Sequence, residues 1–535
     1  MQRIRSRSFA CSLLLAATLA LAGGDAQAQS ATPDPWAAYL GPGSAQPSQF
    51  RQPPPLTTAQ YAPQVGFTPP ASSAGDTGYD ATNARKKQKA KPKPTTDAQA
   101  AAADAQAPPP SPYQQPPPPL LGTVNGAYAQ APGSAPPVEL GPIRQPKKRK
   151  AHAEPEDPYK ALGVEAGAFT LYPALELIGG YDTNPGQAAQ PKGAALYSVA
   201  PELQVQSNWS RHELKADLRG SYTGYSPEQT PTLSRPYFNG KVDGRVDVSH
   251  DTRIDLNARD LVSTDNPGSP NLQAGLAKLP VFTTFGGSAG LGHSFNRLDL
   301  EVKGDAERTI YQNSTLTDGS TASNEDRQYN QYTGTLRASY EFSPGVKPFV
   351  EAGADTRVHD LQTDFSGYER DSRGITGKAG STFEISKLLT GEIALGYTHR
   401  TYQDSRLEDL NGVIGDASLI WTASALTTVK LLGSSAVGES TEAGVSGVLY
   451  RDVGLQVDHA FRRWLIGTAK IGFGLDDYVG IDRLDKRFSA GLGLTYKLNR
   501  NVQIKGEVNQ YWLRSNIGGN NYNDTVFLLG LRLQQ

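Results

Sequence analysis

Cysteine occurs once in this 535-residue sequence, at Cys11, within an N-terminal segment that bears the marks of export. Met1 to Ser8 carries Arg3, Arg5 and Arg7, Phe9 to Gly23 is a largely apolar run, and Ala26-Gln27-Ala28 forms an A-x-A site that places cleavage before Gln29. The processed chain therefore holds neither thiol nor disulfide, which excludes thiolate metal sites and thiol nucleophiles. Long apolar runs are missing as well: after the export segment no window of eighteen apolar residues remains, so there is no transmembrane helix candidate. Apolar residues make up only 37% of the chain, and 52 Lys and Arg nearly balance 53 Asp and Glu. Hydropathy alone would class it as soluble and secreted. An outer-membrane barrel looks the same by that measure, because only alternate residues of each strand face lipid.

Between residues 29 and 160 apolar periodicity is lost. Ala, Gln, Ser and Pro dominate, with Pro runs at Pro53 to Pro55 and Pro116 to Pro119. Such a segment buries too little surface to offset its ordering entropy, so disorder is expected, with polyproline-like runs. Two basic clusters interrupt it: Arg85, Lys86, Lys87, Lys89, Lys91 and Lys93, then Lys147, Lys148, Arg149 and Lys150. Export argues against nucleic acid as their partner. Two readings remain: a linker kept soluble by its charge, and contact with an acidic cell-wall polymer.

From residue 165 to the end the pattern is that of strands. In Arg297 to Ile310, Leu298, Leu300, Val302, Gly304 and Ala306 share one parity, and Asp299, Glu301, Lys303, Asp305 and Glu307 the other. A period of two belongs to an extended strand with one apolar and one charged face. One such strand fits a sandwich or a membrane barrel equally well. Repetition decides: eighteen stretches of this kind run from residue 173 to 534 with no helical segment to cover them, sixteen being the other even count. Every second connection is tight, as at His250-Asp251, Asn296 and Arg462-Arg463, whereas Asp265 to Leu279 and Asn313 to Asp326 are long and polar. Short turns on one rim and long loops on the other predict an all-β, transmembrane, antiparallel up-and-down barrel, its short rim and both chain ends in the periplasm. Its expected partners are outer-membrane lipid and the barrel-insertion machinery.

The charged parity names the residues expected to line the lumen: Glu213, Lys215, Asp217, Arg219, Lys241, Asp243, Arg245, Asp299, Glu301, Lys303, Lys505 and Glu507. Acids and bases in adjacent rows neutralise one another across the wall, so a wet interior of mixed charge is expected. Aromatics collect at strand ends, with Trp209, Tyr340, Phe342, Trp421, Phe461, Trp464 and Tyr496 beside tight turns. Tyr181, Tyr222, Tyr225, Tyr237, Tyr311, Tyr329, Tyr402, Tyr478, Tyr511 and Trp512 lie near long loops, and the two sets read as belts at the two membrane interfaces.

Several short stretches carry a family resemblance: Glu176 to Pro185 (ELIGGYDTNP), Trp209 to Leu214 (WSRHEL), Arg370 to Gly374 (RDSRG), Gly391 to Tyr397 (GEIALGY) and Arg400 to Asp404 (RTYQD). In this order the chain from Gly163 onward resembles the β-barrel porins of Gram-negative, mainly alphaproteobacterial, outer membranes. The sequence departs from many outer-membrane barrels in finishing Leu531-Arg532-Leu533-Gln534-Gln535 rather than on an aromatic residue. The resemblance implies a fold and a location and brings no catalytic residues.

Enzymatic constellations are weak. His212, His250, His293 and His459 fall at tight turns and His359 and His399 near long loops. Asp458-His459 and His250-Asp251 are sequence neighbours whose side chains are expected on opposite faces, so neither forms a dyad. Gly286-Gly287 and Gly518-Gly519 have no strand-to-helix context for phosphate, and Asn520 to Asp524 has no calcium-loop spacing. The reading is a non-enzymatic, cofactor-free channel for hydrophilic solutes or a polysaccharide. The alternative is a non-conducting envelope protein whose basic tail contacts the cell wall. Inward folding of either long loop would narrow or close the pore.

Overall fold

The strand pattern dictates a sheet whose two faces differ, and a sheet of this length must either meet a second layer or close on itself. A computed structural model describes Tyr159 and residues 161–535, except 268, 386–388 and 425. The export segment, the Pro-rich tail and both basic clusters lie outside the described residues.

Eighteen strands form the wall: β1 Phe169–Asp182, β2 Ala194–Ser207, β3 Glu213–Ser226, β4 Arg235–Asp247, β5 Thr252–Thr264, β6 Val281–Phe295, β7 Leu298–Tyr311, β8 Tyr329–Tyr340 and β9 Val346–His359, followed by β10 Ser372–Ile385, β11 Leu389–Tyr402, β12 Leu410–Ser424, β13 Thr427–Gly438, β14 Gly447–Arg462, β15 Leu465–Val479, β16 Arg483–Lys497, β17 Val502–Ser515 and β18 Tyr522–Gln534. Each pairs antiparallel with its sequence neighbours, and β18 returns to β1 from Ala174↔Gln534 to Asp182↔Val526, which closes an antiparallel barrel. A short strand, Val164–Ala166, pairs with Leu171–Phe169 and takes the edge of β1 that β18 leaves bare. The two-residue turn between β6 and β7 places Asn296 at φ 55, a left-handed conformation that Asn tolerates better than most residues. At Gly391, φ is 127 and a Cβ would lie 1.8 Å from the Ser418 carbonyl oxygen, so the close approach of β11 to β12 requires glycine there.

Val302, Leu336, Val350, Ile375, Leu395, Ile471, Leu492 and Leu529 stand exposed on one face. The charged parity occupies the other. That face is concave, because its side chains meet across intervening strands: Arg253 of β5 reaches Glu301 of β7 at 2.8 Å, and Arg337 of β8 reaches Glu392 of β11 at 2.5 Å.

The aromatic belts need correction at the long-loop rim. Trp209, Tyr340, Phe342, Trp421, Phe461, Trp464 and Tyr496 are exposed near the tight turns, and Tyr181 and Tyr222 are exposed at the opposite rim. Tyr225, Tyr311, Tyr329, Tyr478 and Tyr511 are instead buried. They fall on the inward parity: Tyr225 and Tyr511 pack with Leu233 and Leu279, Tyr478 packs with Val445, Arg327 stands over the Tyr311 ring, and Tyr329 lies beside Arg357 and His359, while Tyr332, Tyr397, Phe473 and Phe488 are exposed on the outer face.

Candidate functional site

The inner face is built by one parity of every strand, and its charges are paired in rows. Lys215 lies 3.0 Å from Glu213 on the same strand, and Arg245 of β4 lies 3.3 Å from Glu213. Arg219 contacts Asp217 at 2.8 Å and Glu202 at 3.3 Å; Lys241 lies 3.2 Å from Asp243. Asp299 meets Lys347 at 3.3 Å, Glu507 meets Lys470 at 2.8 Å, and Lys505 meets Glu176 at 2.7 Å. Lys303 stands on the same parity of β7 as Asp299 and Glu301, opposite Gly290 and Thr335. Thus all twelve candidates share the concave face; ten of them enter the ion pairs just given, and Glu301 pairs with Arg253.

The network extends beyond those twelve. Arg259 holds Asp305 at 2.7 Å and Glu307 at 2.8 Å, Lys378 holds Asp416 at 2.7 Å, and Lys430 holds Asp458 at 2.8 Å. Arg487 bridges Asp476 at 2.6 Å and Asp452 at 2.8 Å, all from neighbouring strands β14 to β16. The same alternation that marks Lys215 marks Glu351, Asp355 and Arg357 on β9, so the signal for these residues was present in the sequence.

What the sequence did not reveal is how the long-loop end is filled. The connection between β5 and β6 turns into the barrel: Leu272 and Leu279 pack, together with Leu233, against Ile178, Leu196, Tyr225, Tyr511, Val526 and Leu528 of the inner wall. The Ala277 N–H donates to the Thr315 carbonyl at 2.8 Å, joining this loop to the connection between β7 and β8. There Arg327 and Asp265 form a buried pair at 2.7 Å; burial pushes the Asp265 carboxyl up, and Arg327 opposes that shift. Asn271 reaches the far side, where its Oδ1 accepts the Thr441 N–H at 3.0 Å. Since β5 and β13 are eight strands apart in a ring of eighteen, this contact spans the lumen.

The β13–β14 connection comes to meet it. β12 and β13 pair only from Ala417↔Gly433 down to Ser424↔Thr427, whereas β13 and β14 stay paired up to Gly438↔Val448. The upper part of this hairpin thus leaves the wall and turns inward. Val437 and Leu449 pack on Leu410 and Ile414 of β12, with Tyr402 beside them. Arg357 donates to Glu439 at 2.5 Å and to the Val437 carbonyl at 2.9 Å. Arg370 donates to the Val445 carbonyl at 2.7 Å. Burial alone would raise the Glu439 carboxyl; the facing Arg357, His359 and Arg400 outweigh it and hold the group below the usual carboxylate range.

The histidines mostly bridge neighbours. His293 meets Thr252 at 2.8 Å, His459 meets Thr427 at 2.9 Å, and His212 accepts the Asp247 N–H at 3.2 Å. His250 and Asp251, expected on opposite faces, are in contact at 2.7 Å, because they sit in a turn where strand alternation no longer applies. Both are exposed at the rim. Among the described residues no cluster of three His, Cys, Asp or Glu side chains is placed to hold a metal ion.

The family described as "Putative beta-barrel porin 2" matches residues 157–535, more than half of the chain. The chain belongs to this family. It is a porin-like outer-membrane β-barrel. No curated protein matches it. Among solved structures, Acinetobacter baumannii OccAB4 is similar at 11% identity over 68% of this chain and 98% of its own, with a TM-score of 0.36. Pseudomonas aeruginosa opdK is 13% identical over 68% and 99%, TM-score 0.35. The copper transporter OprC is 9% identical over 70% and 81%, TM-score 0.38.

Proposed function

We propose that this porin-family barrel is a passive channel for hydrophilic solutes, its lumen lined by the paired charges of the concave face. That lining carries the reading: a continuous charged inner wall is stable beside water and gives a structural barrel no advantage that apolar packing would lack. The channel performs no catalysis, and a polysaccharide strand is among the solutes its polar wall would suit. The short-turn rim and both chain ends lie in the periplasm, where the basic clusters at Arg85 to Lys93 and Lys147 to Lys150 reach acidic cell-wall polymer. Outer-membrane lipid surrounds the exposed apolar face, and the barrel-insertion machinery delivers the chain.

Because acids and bases alternate along the wall, their long-range fields cancel in physiological salt. Openings in planar bilayers are therefore expected to be weakly ion-selective, and changing Lys215, Lys241 and Arg245 together to Gln to shift them toward cations. A second reading, the non-conducting envelope protein, is favoured by the inward elements at the long-loop end. If no folded form of the chain conducts, whether or not those elements are trimmed, the channel is rejected and the envelope reading stands.

Sidedness has its own check. The mature chain has no native thiol, so single cysteines at Asp318 and Thr363, both exposed on long loops, should react with an impermeant reagent on whole cells, and one at the exposed His250 turn should not. Equal labelling of all three would overturn the orientation.

A further inference from the structure

The upper edge of β12 has lost its neighbour without losing its register. Ala417 pairs with Gly433, so two residues further up Gly415 stands opposite Ser435, and Val413 opposite Val437. In place of ladder bonds, the Ser435 hydroxyl accepts the Gly415 N–H at 2.9 Å and donates to the Gly415 carbonyl at 3.1 Å. Arg451 Nε donates to the Val413 carbonyl at 2.9 Å, and Arg357 takes the Val437 carbonyl. Backbone groups that would close the wall are thus satisfied by side chains, which makes the exchange reversible without a change of register. Zipped onto β12, the hairpin would turn Val437 and Leu449 toward lipid, the face on which the neighbouring Val413 and Val453 are already exposed.

The inward position is held by the packing of Val437 and Leu449 on Leu410 and Ile414 and by polar contacts at the hairpin tip. Glu439 carries its carboxylate to Arg357 and lies 4.0 Å from His359. Arg370 holds the Val445 carbonyl, and Asn271 the Thr441 N–H. When the tip withdraws, the Glu439 carboxylate leaves Arg357, while Arg357 and His359 stay on β9 facing the lumen, His359 still 3.3 Å from Asp371.

We propose that the β13–β14 hairpin is the gate of the channel, and that Glu439 occupies the site of the solute that opens it, a small carboxylate. A carboxylate that binds Arg357 and His359 displaces Glu439, and the freed hairpin zips along β12 to complete the wall and clear the lumen. This rests on the channel reading and adds to it the solute class and its regulation. By linkage, a carboxylate binds the open form more tightly than the closed one and shifts the population by that ratio.

The test uses the full chain in planar bilayers at fixed potassium chloride, with millimolar glutarate as the carboxylate and glycerol as a neutral control. Glutarate is expected to raise the open probability of the native chain by about tenfold or more, the scale set by one charge-assisted hydrogen bond, and glycerol to leave it unchanged. Glu439→Gln, isosteric and uncharged, is expected to open without glutarate and to respond little to it. In a second variant Ile414→Cys and Ala436→Cys would face each other in the zipped ladder as a pair of the narrow type, with a Cα separation of about 4.5 Å that a disulfide spans. Oxidation should hold this variant open and reduction restore gating. If native and Glu439→Gln chains conduct equally and ignore glutarate, or the oxidised variant is closed, the gate falls while the channel stands. If the native chain, Glu439→Gln and the oxidised variant are all silent, the gate falls, and the channel reading falls with it if the chain trimmed of its inward elements is silent too.

Discussion

Changing Arg487 to Met is expected to destabilise the barrel by about 3–5 kcal/mol, the usual loss when one partner of a buried ion pair is removed. Arg487 is only 2% exposed and is shared by Asp476 at 2.6 Å and Asp452 at 2.8 Å. Without it two carboxylates from adjacent strands face each other away from bulk water, and the repulsion falls on the β14–β15–β16 ladders. The loss should appear as a lower urea midpoint for the heat-modifiable folded band. Adding Asp452→Asn and Asp476→Asn should recover much of it, because the unpaired charges, rather than the missing bulk, are the cause. An unchanged midpoint in the single variant would mean that water already reaches the site and screens it.

Changing Ile471 to Arg should reduce folding yield into bilayers, by about 2–4 kcal/mol in insertion free energy. Ile471 lies near the middle of β15, is 57% exposed, and faces outward between Leu455 and Ala490. An outward guanidinium there has no partner and must draw water or headgroups into the hydrocarbon layer. Lys303→Gln, on the concave parity of β7, should have little effect on yield. Should Lys303 prove the more damaging site, the face assignment would be inverted. The contrast therefore tests the membrane-facing surface without reference to conduction.

Much of the fold could be read from the chain because a period of two depends on neighbours alone. Arg297 to Ile310 was expected as a strand and Leu298–Tyr311 is one, with the same apolar and charged faces. The charged parity that named Glu213, Lys505 and Glu507 needs only that alternation and the sheet's curvature. Alternation says nothing, however, about whether a strand keeps both neighbours. The departure of β13 from β12 above Gly433 depends on Arg357 meeting Glu439, 82 residues away in sequence, and on Asn271 meeting Thr441, 170 residues away. Local pattern carries no record of such partners. For the same reason the belt expectation fails at Tyr311: its position near a strand end is legible, but the Arg327 that covers its ring from a loop is not. His250 and Asp251 meet because strand alternation ends at Asp247 and resumes at Thr252, so it does not govern the turn between them.

The seam between β1 and β18 bears on how the molecule assembles. Every other ladder of the wall joins strands adjacent in sequence, so each can form as a local hairpin. The seam alone joins Ala174 to Gln534. Loop-closure entropy grows with the logarithm of chain length, so bringing these ends together costs roughly 3 kcal/mol more than closing a ten-residue loop. Until it forms, the sheet is an open ribbon with two bare edges, and bare edges pair with other chains as readily as with each other. Among the ladders of the wall, the long-range pairing is concentrated in that one. Its edges are what an escort in the aqueous compartment would have to shield before the bilayer is reached, and Val164–Ala166 continues that protection along β1 beyond the end of β18.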